Sequence, residues 1–172
     1  FPQNNFIPTA VNDGDEIVAL AVYNDRLLQF NNNVLYIHNI SQVESYLEDT
    51  YKFKGVSHTA SVCTTDNGIA WANEKGAYLY TGSKIVNLIE KNAQHIISPS
   101  TWSTFSDTPM VGYISDKRQL LFADDISNTG DGAIYIYDLV TSSWVKGSDA
   151  SILANIKTNF VNDYNGDLIY YD

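Results

Sequence analysis

Positive charge is scarce in this sequence: ten Lys plus Arg stand against twenty Asp plus Glu in 172 residues, a formal net charge of −10. Phosphate contacts need clustered cations that displace counterions. No Lys/Arg cluster occurs, which argues against nucleic-acid and anionic-membrane binding. Cysteine is nearly absent as well. The lone Cys63 cannot form an intramolecular disulfide, so a disulfide-stapled secreted scaffold is excluded, and a small hydrophobe on a strand is the expected role. Long apolar runs are missing too: the longest, Ile17 to Tyr23, has seven residues, against about 20 needed to cross a bilayer. The chain starts at Phe1, and its Pro- and Asn-containing opening lacks the charged-then-apolar order of a signal peptide. A piece of something longer is expected.

What is present points to sheet. Hydrophobic residues make up 44% and charged residues only 17%, enough apolar surface to offset ordering entropy. Twelve Tyr against one Met, with Val, Ile and Thr plentiful, suits pleated, half-buried surfaces rather than helices. A chain of this length buries roughly 70% of its unfolded surface as one domain.

An internal repeat organises the chain. Asn24-Asp25-Arg26-Leu27-Leu28-Gln29-Phe30, a polar turn and Val34-Leu35-Tyr36-Ile37-His38 read as a hairpin. The layout recurs at Asp66-Asn67-Gly68-Ile69-Ala70-Trp71-Ala72 followed by Gly76-Ala77-Tyr78-Leu79-Tyr80. Third and fourth copies begin at Asp116 and Tyr164, placing Leu27, Ile69, Leu120 and Leu168 at equivalent positions, and likewise Tyr36, Tyr78 and Tyr135. Each copy follows another apolar stretch (residues 17–23, 59–64, 110–114 and 159–162), and weaker strands follow at 84–89 and 143–146. Four strands per roughly 40 to 50 residues is the spacing of propeller blades. The fold class expected is therefore all-β and β-propeller-like, about three and a half four-stranded antiparallel blades; a β-sandwich or another β-solenoid is the alternative. Residues 1–14 read as an extended N-terminal segment and residues 15–172 as the repeat domain, part of a longer chain.

Two stretches break the pattern. Ser41-Gln42-Val43-Glu44 matches a capping box, and Val43, Tyr46, Leu47 and Tyr51 follow helical spacing, so helical turns are expected in place of the first unit's outer strand. Residues 91–108 are too polar for a strand and read as an excursion in which Trp102 and Phe105 dock on a neighbouring sheet. Together with residues 124–132 it is expected to project furthest from the blades and to make contacts between copies.

Chemistry-bearing patterns are weak. His38, His58 and His95 lack the HxH or HxxxH spacing of a zinc site. Asp124, Asp125, Asp131 and nearby Gly130 and Gly132 offer hard oxygen ligands but depart from the order of a calcium loop, and read as an enlarged hairpin loop. No nucleophile elbow or phosphate cradle appears. No catalytic, cofactor-binding or metal residue is assigned, no cofactor is implied, and the chain is read as not an enzyme.

The segments Asn24-Asp25-Arg26-Leu27, Phe53-Lys54-Gly55-Val56-Ser57 and residues 67–82, Asn67 to Gly82, resemble the propeller domains of tail and head-to-tail connector proteins of short-tailed bacteriophages, the nozzle or tubular proteins and the related DNA-stabilising proteins. The resemblance spans about residues 15–171 and rests on strand pattern; the double glycine of kelch-type blades is missing. It implies a structural virion protein whose partners are copies of itself and other virion proteins, forming a ring around the path by which DNA leaves, without specific nucleic-acid binding or membrane contact. An acidic surface suits such a conduit, since like charge repels phosphate within about 8 Å at physiological salt. The competing reading is an extracellular or periplasmic propeller that binds or cleaves glycans, with Trp71, Trp102 and Trp144 as stacking platforms; core packing explains the three equally well, and Trp71 and Trp144 are expected to be largely buried between sheets.

Overall fold

A computed structural model of the chain describes residues 14–92, 97–105, 109–123, 132–150 and 160–169. The protein is all-β, with 54% strand and 9% helix. The first sheet comprises β1 (Ile17–Tyr23), β2 (Arg26–Asn31), β3 (Val34–Asn39) and β4 (Tyr46–Lys52), in that order and antiparallel. The second repeats the meander with β5 (Val62–Thr65), β6 (Gly68–Asn73), β7 (Gly76–Tyr80) and β8 (Ile85–Asn87). Helices α1 (Leu88–Asn92) and α2 (Pro99–Ser103) come next in the chain. The third sheet holds β9 (Met110–Ile114), β10 (Gln119–Ala123), β11 (Gly132–Asp138) and β12 (Ser143–Ala150). Strands β13 (Val161–Asn162) and β14 (Leu168–Ile169) pair as a two-stranded sheet.

Turn chemistry sets these hairpins. Asn24 and Asp25 both have positive φ, 46° and 57°, the two-residue turn whose twist matches that of the flanking strands. The counterpart at Asp66-Asn67 is closed by Thr65, whose Oγ1 accepts from the Asn67 N–H at 3.1 Å. In the fourth copy the Asp163 carboxylate accepts from the N–H groups of Asn165 and Asp167 at 2.8 and 2.9 Å.

The repeat read from the sequence is a repeat of register. Leu27 pairs with His38, Ile69 with Tyr80 and Leu120 with Tyr137; two residues along, Gln29 pairs with Tyr36, Trp71 with Tyr78 and Phe122 with Tyr135. Leu168 pairs with Asn162 as Leu120 does with Tyr113.

The sheets stack in sequence order. Ala21, Leu28, Phe30, Leu35 and Ile37 of the first meet Ile69, Trp71, Tyr78 and Tyr80 of the second in one core. Ala70, Ala72, Ala77 and Leu79, on the second sheet's other face, join Leu120, Phe122, Tyr135 and Trp144 of the third in another. A smaller cluster of Met110, Ala123 and Phe160 continues the stack toward β13 and β14. Strand alternation makes this possible: neighbouring residues of β6 point to opposite faces, and both faces are buried.

The helix expected over residues 41–51 is a correction. Residues 46–52 form β4, paired along β3 from Val34↔Lys52 to Asn39↔Tyr46. Ser41 does not cap a helix: its N–H and hydroxyl both donate to Asn39 Oδ1, at 3.0 and 2.6 Å, while Val43 is fully exposed. The open edge of β3 offered ladder hydrogen bonds that the weakly periodic segment took. The stretch expected as a strand over 59–64 begins as a 3-10 turn, Thr59–Ser61, pinned by the Ser61 hydroxyl donating to Pro109 O at 2.6 Å.

The excursion at 91–108 does not project where it is described. Ser98 caps α2, accepting from the Thr101 N–H at 3.1 Å with Pro99 at the first helical position. Ile97, Trp102 and Phe105 are sunk in the core between the second and third sheets. Of residues 124–132 only Gly132 lies among the described residues, as do Gly14 alone of 1–14 and none of His95.

Candidate functional site

The first strands of successive sheets lie side by side: β1 touches β5, β5 touches β9, and β9 touches β13. Two clefts open along this row. One of about 420 Å3 is lined by Ile17 to Ala21 of β1 with Thr59, Val62 and Thr64. Another, about 230 Å3, lies among Cys63, Val111, Tyr113, Phe160, Asn162 and Leu168. Among the described residues no Asp, Glu, Lys or Arg lines either cleft, in a chain whose net charge is −10.

Two titratable side chains of the second cleft, Cys63 and Tyr113, are both held toward their neutral forms. Burial pushes the Cys63 thiol up to about 11, so the thiolate that would act as nucleophile is scarce at neutral pH. Burial, then the bond to Asp66, raise the Tyr113 phenol. Glycosidic cleavage needs two carboxyl groups about 5 to 9.5 Å apart across a cleft, and two of the chain's carboxylates, Asp15 and Asp138, are engaged by backbone N–H groups. Asp15 accepts from the N–H groups of Asn32 and Asn33. Asp138 accepts from those of Thr141 and Val140, and these bonds with Gln119 hold its carboxyl below the usual range.

All three tryptophans are buried, as core packing of Trp71 and Trp144 and docking of Trp102 require, and none is open as a glycan platform. Trp71 and Trp102 are 0% exposed and Trp144 3%. Phe30 meets Trp71 edge-on with centroids 5.3 Å apart, and in the next interface Phe122 meets Trp102 edge-on and Trp144 at a tilt. Rings of this size serve as bulk that fixes sheet spacing. The indole N–H of Trp102 donates to Asn73 O at 2.8 Å and that of Trp144 to Leu88 O at 3.2 Å.

The histidines do not converge. His38 lies inside β3, 2% exposed; His58 stands before the 3-10 turn, its Nε2 3.2 Å from Ser61 Oγ. Among the described residues no three His, Cys, Asp or Glu are placed to hold a metal ion, and no helix is long and apolar enough to cross a membrane.

Sequence reading missed the links between sheets. Asp66, on the β5–β6 turn, receives the Tyr113 hydroxyl on its carboxylate at 3.0 Å and the Tyr23 hydroxyl on its carbonyl at 3.4 Å, tying all three sheets at one end. Asn73, at the other end of β6, donates to Gly55 O at 2.8 Å and Phe53 O at 3.2 Å. A signal existed: Asn31 and Asn73 are 42 positions apart, like Leu27 and Ile69, and Asn31 makes the same kind of bond, to Asp15 O at 2.7 Å. Comparison with protein families and with curated proteins finds no match.

Proposed function

We propose that the chain is a non-enzymatic structural component of a bacteriophage virion, a β-propeller-like repeat domain in a tail or head-to-tail connector ring around the DNA exit path. The observation that carries this reading is the row of first strands. Four-stranded sheets stacked in sequence order, with their first strands adjacent, are the arrangement from which a propeller wheel is built. The row presents uncharged side chains among its described residues, a surface that does not attract phosphate. The aromatic residues are spent on rigidity between sheets. The partners in this reading are other copies of the chain and other virion proteins.

The test is immunogold labelling of particles from the phage that carries this chain, with negative-stain imaging of the extracted tail. Label at the tail vertex on a ring-shaped component is the expected result. Absence from the particle, with binding on a glycan array, would overturn the reading.

A further inference from the structure

The register equates Leu20, Val62 and Val111, which pair with Gln29, Trp71 and Phe122 respectively; Phe160, one residue before Val161, occupies the same place in the fourth unit. In each later sheet this residue packs toward the preceding sheet: Val62 against the first core, Val111 within the second and Phe160 against the third. Leu20 has the same position in the first sheet and stays 60% exposed, with Val22 beside it at 54%. The opposite face shows the reverse. Ala21 lies in the first core and Cys63 against the second, and a Cβ on Gly112 would come within 2.7 Å of Leu168 and 2.8 Å of Phe160. Their counterpart Val161 and its pair Ile169 are exposed, 61% and 50%.

The two exposed strips are thus the two halves of a contact the chain makes between each pair of successive sheets. We propose that they meet between two copies of this chain, the β13–β14 face of one seated on the β1 strip of the next. This rests on the assembly reading above and names its surfaces. The contact continues the internal stacking, so it is head-to-tail, the kind that builds rings or filaments rather than closed two-fold dimers. It is confined to the innermost strip. Gln29 and His38, further out on the same face of the first sheet, are already buried, where the later sheets carry aromatic residues. Two exposed apolar side chains on each face make a narrow contact beside the roughly 1,200 to 2,000 Å2 of a standard stable interface, so weak affinity is expected. Salt strengthens it by screening repulsion between chains of charge −10.

Sedimentation equilibrium of the 172-residue chain up to about 1 mM tests the proposal. Self-association is expected, weakened at least about tenfold, or about 1.4 kcal/mol, by Leu20→Lys/Val22→Lys and equally by Val161→Lys/Ile169→Lys, and unchanged by Val43→Lys. An equimolar mixture of the two double variants should form a 1:1 dimer and stop there, because each keeps one intact face. Leu20→Ser/Val22→Ser and Val161→Thr/Ile169→Thr serve if the lysine variants lose their circular dichroism spectrum. A wild-type monomer at the highest concentration overturns the proposal, as does a mixture that stays monomeric. Association that survives both double variants overturns these surfaces while leaving the assembly reading in place.

Discussion

The first and second sheets share topology and register, yet they carry different residues at the same positions. Trp71 and Tyr80 of the second occupy the places held by Gln29 and His38 in the first. The second sheet lies between two others, and every residue of β6 up to Ala72 and of β7 is buried. Among the described residues only one face of the first sheet enters a core shared with another sheet. Its other face holds a hydrogen-bonded chain of polar side chains where the second sheet has rings. A repeat therefore fixes geometry, while the neighbour on each face decides chemistry.

The sharpest way to break this comparison is to remove bulk from equivalent surroundings. Trp71→Ala empties a fully buried site flanked by Phe30 and Tyr78, and a loss of about 3 to 5 kcal/mol is expected in urea unfolding. Val22→Ala, on the exposed strip of the first sheet, should fall within about 0.5 kcal/mol. Similar costs for the two would mean that the first sheet's open face is covered after all.

The next test probes how closely the stack continues beyond the third sheet. Gly112→Val forces a branched side chain against Phe160 and Leu168, and overpacking of this kind costs about 1 to 3 kcal/mol. Gly147→Ala is the control, because the nearest atom to a Cβ there is 3.7 Å away, and its effect should stay within about 0.5 kcal/mol. A harmless Gly112→Val would detach the β13–β14 sheet from the stack.

Smaller still is the pair Asn31→Ala and Asn73→Ala. Each asparagine ties a hairpin to the chain leading into its own sheet, Asn31 through Asp15 O and Asn73 through Gly55 O. A net hydrogen bond is worth about 0.5 to 1.5 kcal/mol, and the variants should differ little. A large excess for one of them would show that the two sheets are anchored differently despite their shared register.

Much of this architecture was legible because period-two alternation and Asp/Asn turns are local signals. Residues 17–23 and 110–114 coincide with β1 and β9, and the 42-residue offset placed Leu27 with Ile69 and Tyr36 with Tyr78. Residues 41–51 were not legible. Their apolar spacing fits a helix as well as a half-exposed edge strand, and the deciding factor, the unpaired edge of β3, is a tertiary one. The burial of Trp71 and Trp144 between sheets and the docking of Trp102 were legible from the strand repeat and its interruption, but which rings they meet was not, because that depends on what stacks on each face. Asp66 as a link between sheets was equally hidden, since Tyr23 and Tyr113 lie more than 40 positions away on either side.

The last difference between the sheets is that the first contains a titratable group where the second has a phenol. His38 Nε2 lies 3.2 Å from Gln29 Oε1, Gln29 Nε2 donates to Asn31 Oδ1 at 3.0 Å, and Asn31 Nδ2 donates to Asp15 O. This run of donors assigns the proton of the neutral ring to Nε2. Nδ1 is left buried without a partner, so a second proton there would be a buried donor with no acceptor. Burial accordingly lowers the His38 pKa below its ordinary value of about 6.5. In the unfolded chain the ring titrates near that ordinary value, so below it the unfolded state binds more protons than the folded one, and stability falls with falling pH. The contribution is fully present above about pH 6.5 and is lost progressively toward the lowered folded-state value. Urea midpoints measured between about pH 7.5 and pH 5 should decline for the wild type and decline less for His38→Gln, which keeps a side-chain donor but cannot charge. If both proteins follow the same curve over that range, His38 is not the group responsible, and the polar face of the first sheet is as indifferent to acid as the aromatic face of the second.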